Sequence, residues 1–215
     1  MSSLITIEGL NKSYAYKPVI QNMNINFDGG RIIGLLGPNG SGKSTLIKTL
    51  AGVLRADSGK IIIDGKEIGV ETKKVVSYLP ERTYLDSSMK VKETIKMFED
   101  FYSDFNAKRA EEMLTKLKIS PDDRIKSLSK GTREKVQLVL VMSRDAKVYL
   151  LDEPMGGVDP AAREYILRTI LTNYNEDACV IISTHLISDV EKVLDEVVFI
   201  QNGDIVLNSS VDEIR

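Results

Sequence analysis

The segment Gly37-Pro38-Asn39-Gly40-Ser41-Gly42-Lys43-Ser44-Thr45 restricts what this 215-residue chain can fold into more than any other stretch. It follows the apolar run 32–36 and matches the pattern G-x-x-x-x-G-K-[ST]. Glycines let successive backbone N–H groups turn inward and cradle phosphate oxygens, and a following helix adds its positive N-terminal end. A glycine-rich strand-to-helix turn without a ligand is the alternative. A chance match is rare, about 1 in 100 for this length, so the sequence predicts phosphate binding at residues 37–45.

Two residues of this segment have predicted roles of their own. The Lys43 ammonium would reach the β- and γ-phosphates of a nucleotide, and the Ser44 hydroxyl can ligate Mg²⁺.

The overall composition excludes several classes of protein. Lys and Arg total 29 and Asp and Glu total 31, so the net charge of −2 gives no indication of nucleic-acid binding. The single cysteine, Cys179, lies in an apolar run and is predicted to be a buried thiol in a reducing compartment. Residues 1–6 lack the features of a signal peptide, and no apolar stretch approaches the ~18 residues of a membrane span. We therefore expect a cytosolic protein that would reach a membrane only through a partner.

Hydrophobic periodicity predicts an α/β core with a helical insertion. Short β segments are indicated over residues 4–36, and an apolar face over residues 43–54 predicts a helix. Three helical patterns occupy residues 90–144; the second has Asn106 as a candidate N-cap, and the third is apolar nearly all round, which predicts burial. The insertion is assigned to residues 81–144.

Strand-like apolar runs return in the last third of the chain. Such continuous runs are typical of parallel strands that are covered on both faces. They occupy residues 148–151, 180–182 and 197–200. The pair Asn202-Gly203 then predicts a hairpin turn.

Asp152 and Glu153 end the apolar strand that begins at Val148. Ligands of α/β sheets bind at the carboxyl ends of strands, so these acids are placed where a nucleotide would lie. Asp152 would hold Mg²⁺ through water, and Glu153 would orient and polarise the attacking water. Two solvated acids at a strand end are the alternative, which the neighbouring phosphate motif disfavours.

His185, Asp159 and Tyr14 each have a structural as well as a functional interpretation. His185 is the only histidine and follows a strand; lone histidines are more often structural, but here the imidazole could donate to charge developing on the γ-phosphate. Asp159 before Pro160 is a good helix N-cap. Tyr14 could stack on a base or be an ordinary edge-strand aromatic.

Taken in order, these motifs resemble the ATPase subunit of an ABC transporter over nearly the whole chain. Besides the phosphate loop, two single residues carry the resemblance: Tyr14 is similar to the aromatic residue that stacks on adenine, and His185 is similar to the switch histidine. Four segments resemble further motifs of the family, namely the Q-loop at residues 78–81, the signature at residues 128–132, the Walker B strand at residues 148–153 and the D-loop at residues 157–159. The resemblance implies a single domain, residues 1–215, with a P-loop NTPase core and mixed sheet. An N-terminal antiparallel β subdomain belongs to that core (1–80 and 145–215), and residues 81–144 form the helical subdomain.

The resemblance also assigns roles by position. It implies catalytic functions for Glu153, His185, Glu81 and Lys43, and a D-loop position for Asp159. Ser129, Lys130 and Gly131 would contact ATP held by a second ATPase subunit, in a head-to-tail homodimer or heterodimer. A membrane-spanning subunit would bind near residues 81–103, with ATP and Mg²⁺ as cofactors, at the cytoplasmic face of the cell membrane.

Three of these motifs depart from the family pattern. In the Q-loop, Glu81 replaces the usual glutamine, and its carboxylate can still ligate Mg²⁺. Lys130 and Thr132 alter the signature, and Lys130 either adds charge at the phosphate or points to solvent. In the D-loop, Gly157 lacks the side chain that would support hydrogen bonds across subunits.

The Glu81 variant and the short C-terminus resemble ATPases of bacterial exporters, which favours export over import. A chromosome- or ribosome-acting member of the family is a second hypothesis, which the short insertion and the single cassette disfavour. A third is a degenerate, weakly hydrolysing nucleotide-binding module. The altered signature favours such a module, and the retained Lys43, Asp152, Glu153 and His185 disfavour it.

Overall fold

Two β-sheets carry the fold of the computed structural model, which describes residues 3–156 and 160–214. The strands are β1 (Ile5–Tyr14), β2 (Lys17–Phe27), β3 (Arg31–Leu36), β4 (Ser58–Ile63), β5 (Lys66–Glu67), β6 (Val76–Leu79), β7 (Val148–Asp152), β8 (Cys179–Thr184), β9 (Glu196–Gln201) and β10 (Asp204–Ser210). The helices are α1 (Lys43–Leu50), α2 (Val70–Val75), α3 (Val91–Phe101), α4 (Ala107–Lys116), α5 (Lys130–Met142), α6 (Pro160–Asn173), α7 (Ile187–Val190) and α8 (Val211–Ile214), with a 3₁₀ turn at Ile125–Ser127.

The two sheets differ in strand direction. The four-stranded sheet has the order β2-β1-β4-β5 and is antiparallel throughout. The six-stranded sheet has the order β10-β9-β3-β8-β7-β6; β9, β3, β8, β7 and β6 run parallel, and β10 is antiparallel to β9. The predicted α/β class with an N-terminal antiparallel sheet and a mixed sheet is therefore confirmed.

The register of the parallel strands brings their carboxyl ends to one edge of the sheet. Leu36 of β3 pairs with Thr184 of β8, and Asp152 of β7 pairs with Ser183 of β8. Strands β7 and β8 are buried over their whole length, as their apolar runs predict. Consequently the segments that follow β3, β8 and β7 begin side by side at this edge.

Helix α1 begins at Lys43, as the sequence predicts, but it ends at Leu50 rather than Leu54. Gly52 has a left-handed φ of 68°, and its N–H donates to the Thr49 carbonyl oxygen at 3.1 Å. The Val53 N–H donates to the Lys48 carbonyl oxygen at 3.0 Å. These two bonds form a Schellman motif, which ends the helix although the apolar period continues to residue 54.

Several other predictions from the sequence are confirmed. The Asn106 side chain caps α4 by accepting a hydrogen bond from the Arg109 N–H at 2.9 Å. The last seven residues of α5 are all buried, and Asn202-Gly203 forms the turn between β9 and β10. Cys179 is buried, and burial raises the pKa of its thiol, so the thiol stays protonated and inert.

Buried apolar side chains form three clusters. The first packs the antiparallel sheet and α1 onto one face of the mixed sheet, and the second packs α5 and α6 onto the other face. All members of the third cluster lie between residues 85 and 140, inside the segment 81–144. The helical segment thus has an apolar core of its own, next to the core of the sheets.

Arg144 joins this helical segment to the mixed sheet. Its side chain is almost fully buried; Nε and Nη2 donate to the Asp104 carboxylate at 2.9 and 3.0 Å, and Nη1 and Nη2 donate to the carbonyl oxygens of Val76 and Lys74 at 2.6 and 2.7 Å. The guanidinium also stacks 3.9 Å from the centroid of the Tyr102 ring. One buried cation therefore connects the end of α3 to the start of β6.

Replacing this cation should be costly. We expect Arg144→Ala to lower the free energy of unfolding by about 3 kcal/mol, because it leaves Asp104 and two carbonyl oxygens without their donor. Urea unfolding measures the change. Arg109→Ala is the matched control, since Arg109 makes a more exposed pair with Asp145 at 2.9 Å and should cost much less. Equal losses in the two variants would contradict the role given to Arg144.

Candidate active site

The loop 37–42 between β3 and α1 has a shape that only glycine permits at two positions. Gly37 has a φ of 145°, and a Cβ there would lie 2.1 Å from the Ile200 carbonyl oxygen. Gly42 has a φ of 114°, and its Cβ would lie 3.0 Å from the Val19 carbonyl oxygen. Both glycines therefore let the loop pass close to the backbones of β9 and β2.

The side chain of Lys43 is buried within the loop and binds its backbone carbonyl oxygens. Its Nζ donates to the carbonyl oxygens of Gly37 and Pro38 at 2.8 and 3.0 Å, and the residue is only 5% exposed. Burial lowers the pKa of the Lys43 ammonium, and the nearby carboxylates of Glu153 and Asp152 oppose that shift. The cation thus lies in a poorly solvated position, where an anion would be attracted strongly.

Four backbone N–H groups at the end of the loop and the start of α1 have no acceptor in the part of the chain that the structure describes. The N–H groups of Gly40, Gly42, Lys43 and Ser44 make no hydrogen bond there, whereas that of Ser41 donates to the Pro38 carbonyl oxygen at 3.2 Å. Free N–H groups at the start of a helix, beside a buried ammonium, form a site for an anion. This arrangement can bind phosphate oxygens.

Asp152 lies beneath the loop and is fully buried. Its Oδ1 accepts hydrogen bonds from the hydroxyls of Ser44 and Ser183, each at 2.8 Å, while its buried Oδ2 has no partner among the described residues. A carboxylate and a hydroxyl in this relation match the residues that hold Mg²⁺ in P-loop proteins. The residues described contain no group of three or more His, Cys, Asp or Glu able to hold a metal, so nucleotide oxygens and water would supply its other ligands.

Glu153 connects Lys43 to His185. Its Oε2 lies 3.0 Å from His185 Nδ1, and its Oε1 lies 4.0 Å from Lys43 Nζ. The backbone of Glu153 has a left-handed φ of 47°, and its N–H is held by the Ser183 hydroxyl at 2.9 Å. A left-handed backbone is unfavourable for glutamate and here turns the carboxylate away from the path of β7.

A cleft of about 1370 Å³ opens over these residues. It is lined by residues from the phosphate loop, from the β1–β2 hairpin and from the helical segment. The predicted site residues among them are Tyr14, Asn39, Gly40, Gly42, Lys43, Ser44, Thr45, Glu81, Lys130, Glu153 and His185. Four predicted site residues do not line the cleft: Gly37, Ser41 and Asp152 are buried, and Pro38 is exposed elsewhere on the surface.

Tyr14 stands at the end of β1, at the rim of this cleft. It pairs across the β1–β2 hairpin with Lys17, and about half of it (47%) is exposed. The Lys12 ammonium lies 6.0 Å from the centroid of the ring and is held by Asp57 at 2.7 Å. One neighbour of the ring is thus the Lys12 ammonium, and the exposed part of the ring is available for stacking on a base.

The signature segment lies at the start of α5. The Ser129 hydroxyl caps this helix by accepting from the Thr132 N–H at 3.2 Å, and it lies 2.8 Å from the Thr132 hydroxyl. Lys130 Nζ lies 3.8 Å from the Glu134 carboxylate, and both side chains line the cleft. Ser129 and Gly131 do not line the cleft of their own chain.

Glu81 and Asp159 are the remaining residues that the sequence assigns to the site. Glu81 is exposed and lines the cleft, but it makes no hydrogen bond to the described residues. The D-loop residue Asp159 lies outside the described residues.

Ser183 has no role in the predictions from the sequence, although its hydroxyl contacts both acids of the site. The hydroxyl donates to Asp152 Oδ1 and accepts from the Glu153 N–H. A serine near the end of an apolar strand, in register with the strand that carries the acids, is the signal that could have revealed it. Only the pairing of β7 with β8 gives that register.

A family model, curated relatives and a solved structure that resemble this chain all carry descriptions of transport proteins. The family model described as ABC transporter matches residues 20–156. The lipopolysaccharide export system ATP-binding protein LptB of Haemophilus influenzae is 29% identical over 99% of this chain and 92% of its own length. The lantibiotic transport ATP-binding protein SrtF of Streptococcus pyogenes is 28% identical over 97% of this chain and 92% of its own. A solved ATP-binding subunit of an ABC transporter matches with a TM-score of 0.89 at 28% identity, covering 99% of this chain and 92% of that one.

Removing the Ser183 hydroxyl should affect ATP turnover more than folding. We expect Ser183→Ala to lower kcat for ATP about tenfold, because Asp152 loses a fixed donor and the Glu153 N–H keeps only the Ser183 carbonyl oxygen at 3.2 Å, so the reacting groups become less well oriented. A steady-state ATPase assay beside a thermal melt tests this. Ser77→Ala is the matched control, since Ser77 is equally buried and its hydroxyl donates to the Val141 carbonyl oxygen at 2.9 Å. An unchanged kcat for Ser183→Ala, or an equal fall in both variants, would contradict the role of Ser183.

Proposed function

Since this chain belongs to the ABC transporter family as an ATP-binding, ATP-hydrolysing subunit, we propose that it powers an exporter at the cytoplasmic face of the cell membrane. Support for export comes from LptB, whose name assigns it to an export system, and from Glu81 in place of the usual glutamine. Import is the competing direction.

Hydrolysis rather than mere binding is supported by one observation. Glu153 lies within 4.0 Å of Lys43 and 3.0 Å of His185, at the edge of the cleft beside the free loop amides. In our proposal the amides and Lys43 hold the β- and γ-phosphates, and the Glu153 carboxylate orients the attacking water and accepts its proton. The placement of Glu153 beside Lys43 and His185 therefore favours hydrolysis over a degenerate module that only binds nucleotide.

His185 has a defined choice of partners in this scheme. If its Nδ1 donates to Glu153, the neutral ring leaves Nε2 as an acceptor, and donation from Nε2 to the γ-phosphate then requires the imidazolium form. In the other neutral tautomer Nε2–H donates to the γ-phosphate, and Nδ1 accepts a hydrogen bond from Glu153 once that carboxylate has taken up a proton. Proton uptake by Glu153 and stabilisation of the phosphate charge by His185 are thereby connected.

Ser44 and Asp152 would hold Mg²⁺, with Glu81 as a further oxygen ligand at the rim of the cleft. A bound magnesium ion would neutralise charge that develops on the phosphates. The unpaired Asp152 Oδ2 is the atom we assign to a water of its coordination shell.

Completion of the site requires a second copy or a related subunit. Ser129 and Gly131 do not line their own cleft, and they stand at the exposed N-terminus of α5, an end that favours anions. We therefore propose that they cover the γ-phosphate held by the other subunit in a head-to-tail dimer. ATP would favour closure because only the closed form contacts that phosphate from both sides, and hydrolysis would release it.

A membrane-spanning subunit is the proposed second partner. Within the described residues, none of the helices has both the length and the apolar character to cross a bilayer. Tyr84 and Phe101, at either end of the segment 81–103, expose 50% and 76% of their surface, which supports this region as the contact with the partner.

The glutamine variant of Glu153 tests the hydrolytic assignment. We expect Glu153→Gln to reduce kcat at least ~100-fold while ATP affinity is retained, because the amide cannot accept the proton of the attacking water. ATP should then accumulate a dimer, detected by size-exclusion chromatography with light scattering. Glu176→Gln, in an exposed turn, is the control for the loss of a carboxylate. Normal turnover in Glu153→Gln would remove Glu153 from its role.

The direction of transport is tested with the membrane-spanning subunit bound to this chain. The spanning subunit, identified by co-purification from solubilised membranes, is reconstituted with this chain in vesicles that expose the ATPase to the outside. An exporter should move its cargo into these vesicles when ATP and Mg²⁺ are added outside, and Glu153→Gln should abolish the movement. ATP-dependent release of cargo from the vesicle lumen would instead establish import.

A further inference from the structure

The turn between β9 and β10 lies directly against the phosphate loop. The Gly203 N–H donates to the Ser41 carbonyl oxygen at 3.0 Å. On its other side, the turn accepts two hydrogen bonds from β2. The Gln21 backbone N–H donates to the Gly203 carbonyl oxygen at 3.4 Å, and Gln21 Nε2 donates to the Asn202 backbone carbonyl oxygen at 3.4 Å. The turn therefore connects the phosphate loop to the antiparallel sheet.

Close packing at this place depends on the absence of a side chain at residue 203. Gly203 has a φ of 85°, and a Cβ there would lie 2.4 Å from the Val19 carbonyl oxygen. That contact is with backbone and cannot be relieved by rotating a side chain. Any residue other than glycine would push the turn away from β2 and from Ser41.

The hydrogen bond to Ser41 fixes the direction of the next donor in the loop. The Ser41 carbonyl and the Gly42 N–H belong to one planar trans peptide unit, so they point in opposite directions. With the carbonyl held towards Gly203, the Gly42 N–H is turned away from the turn. Gly42 lines the cleft, and its N–H has no acceptor among the described residues.

We propose that Gly203 is a positioning residue for nucleotide binding: its backbone N–H holds the Ser41–Gly42 peptide so that the Gly42 N–H faces the phosphates. This inference rests on the proposed function of the cleft. Gly203 itself contacts no phosphate in this arrangement. It acts through the loop, and residues far apart in the sequence thereby set the geometry of the phosphate site.

A second hairpin provides a matched control for the substitution. Gly65 closes the turn between β4 and β5 with a φ of 73°, after Asp64 with a φ of 51°; the turn at Gly203 has 85°, after Asn202 with 52°. A Cβ at Gly65 would meet nothing within 4 Å. Gly65→Ala thus imposes a similar backbone strain without a clash and far from the loop.

The test compares Gly203→Ala with Gly65→Ala in the full chain. We expect Gly203→Ala to weaken ATP binding about tenfold, measured by calorimetry on folded protein with Mg²⁺, whereas Gly65→Ala should stay within about twofold of the wild type. The rise in Tm on adding saturating ATP should likewise shrink only in Gly203→Ala. ATP affinity that is equal in the two variants would overturn the proposal.

A variant without an added Cβ covers the case in which Gly203→Ala does not fold. One glycine inserted between Asn202 and Gly203 lengthens the turn beside its exposed residue Asn202, where hairpins tolerate insertion. It should release the Ser41 carbonyl, and the same insertion after Asp64 is its control. Weakened ATP binding only in the first insertion supports the proposal, and equal binding contradicts it. Failure of the wild type to bind ATP would contradict the proposed function instead, so the two failures are distinguishable.

Discussion

The parallel pairing of β3, β8 and β7 is the constraint on which the site depends. Asp152 stands opposite Ser183, and Leu36 stands opposite Thr184, so three chain segments leave the sheet at one edge. A one-residue shift of β7 against β8 would turn Asp152 to the other face of the sheet and separate it from Ser44. The buried apolar runs resist that shift, because their side chains pack on both faces of the sheet. Burial of the core therefore also determines the geometry of the acids.

The same burial makes the charges of the site costly to the folded chain. Lys43 is poorly solvated, and its ammonium is balanced only by two loop carbonyls and by nearby carboxylates, of which Asp152 has an Oδ2 without a partner among the described residues. Glu153 adds a left-handed backbone. These features cost stability, and a bound triphosphate with a cation would satisfy most of them. The arrangement has the character of a preorganised site, in which the cost is borne before the ligand arrives.

Much of this could be predicted from the sequence, because local patterns determine it. The phosphate motif, the apolar runs and the acids after Val148 predict an α/β protein with a nucleotide site, and the Asn202-Gly203 pair predicts a hairpin. Features that depend on contacts between distant segments could not be predicted. Strand β6 has only four residues and no clear period, and α1 ends early because Gly52 adopts a left-handed conformation. Ser183 gains its importance only from the strand beside it, and the positions of Glu81 and Ser129 relative to the cleft depend on tertiary packing.

The antiparallel sheet, the phosphate loop and the C-terminal hairpin are joined by close backbone contacts. The Val19 carbonyl oxygen lies where a Cβ on Gly42 or on Gly203 would meet it, so β2 stands in direct contact with both the phosphate loop and the C-terminal hairpin. Tyr14 belongs to the same antiparallel sheet, so in the proposed function close-packed backbone would fix the distance between a base on Tyr14 and phosphates on the loop. Helix α5, which carries Ser129 at its N-terminus, packs both in the apolar core of the helical segment and on the mixed sheet, and Arg144 adds polar contacts to that junction. Because one rigid helix is packed in both cores, the position of Ser129 relative to the phosphate loop is set by the burial of α5 as well as by the hydrogen bonds of Arg144.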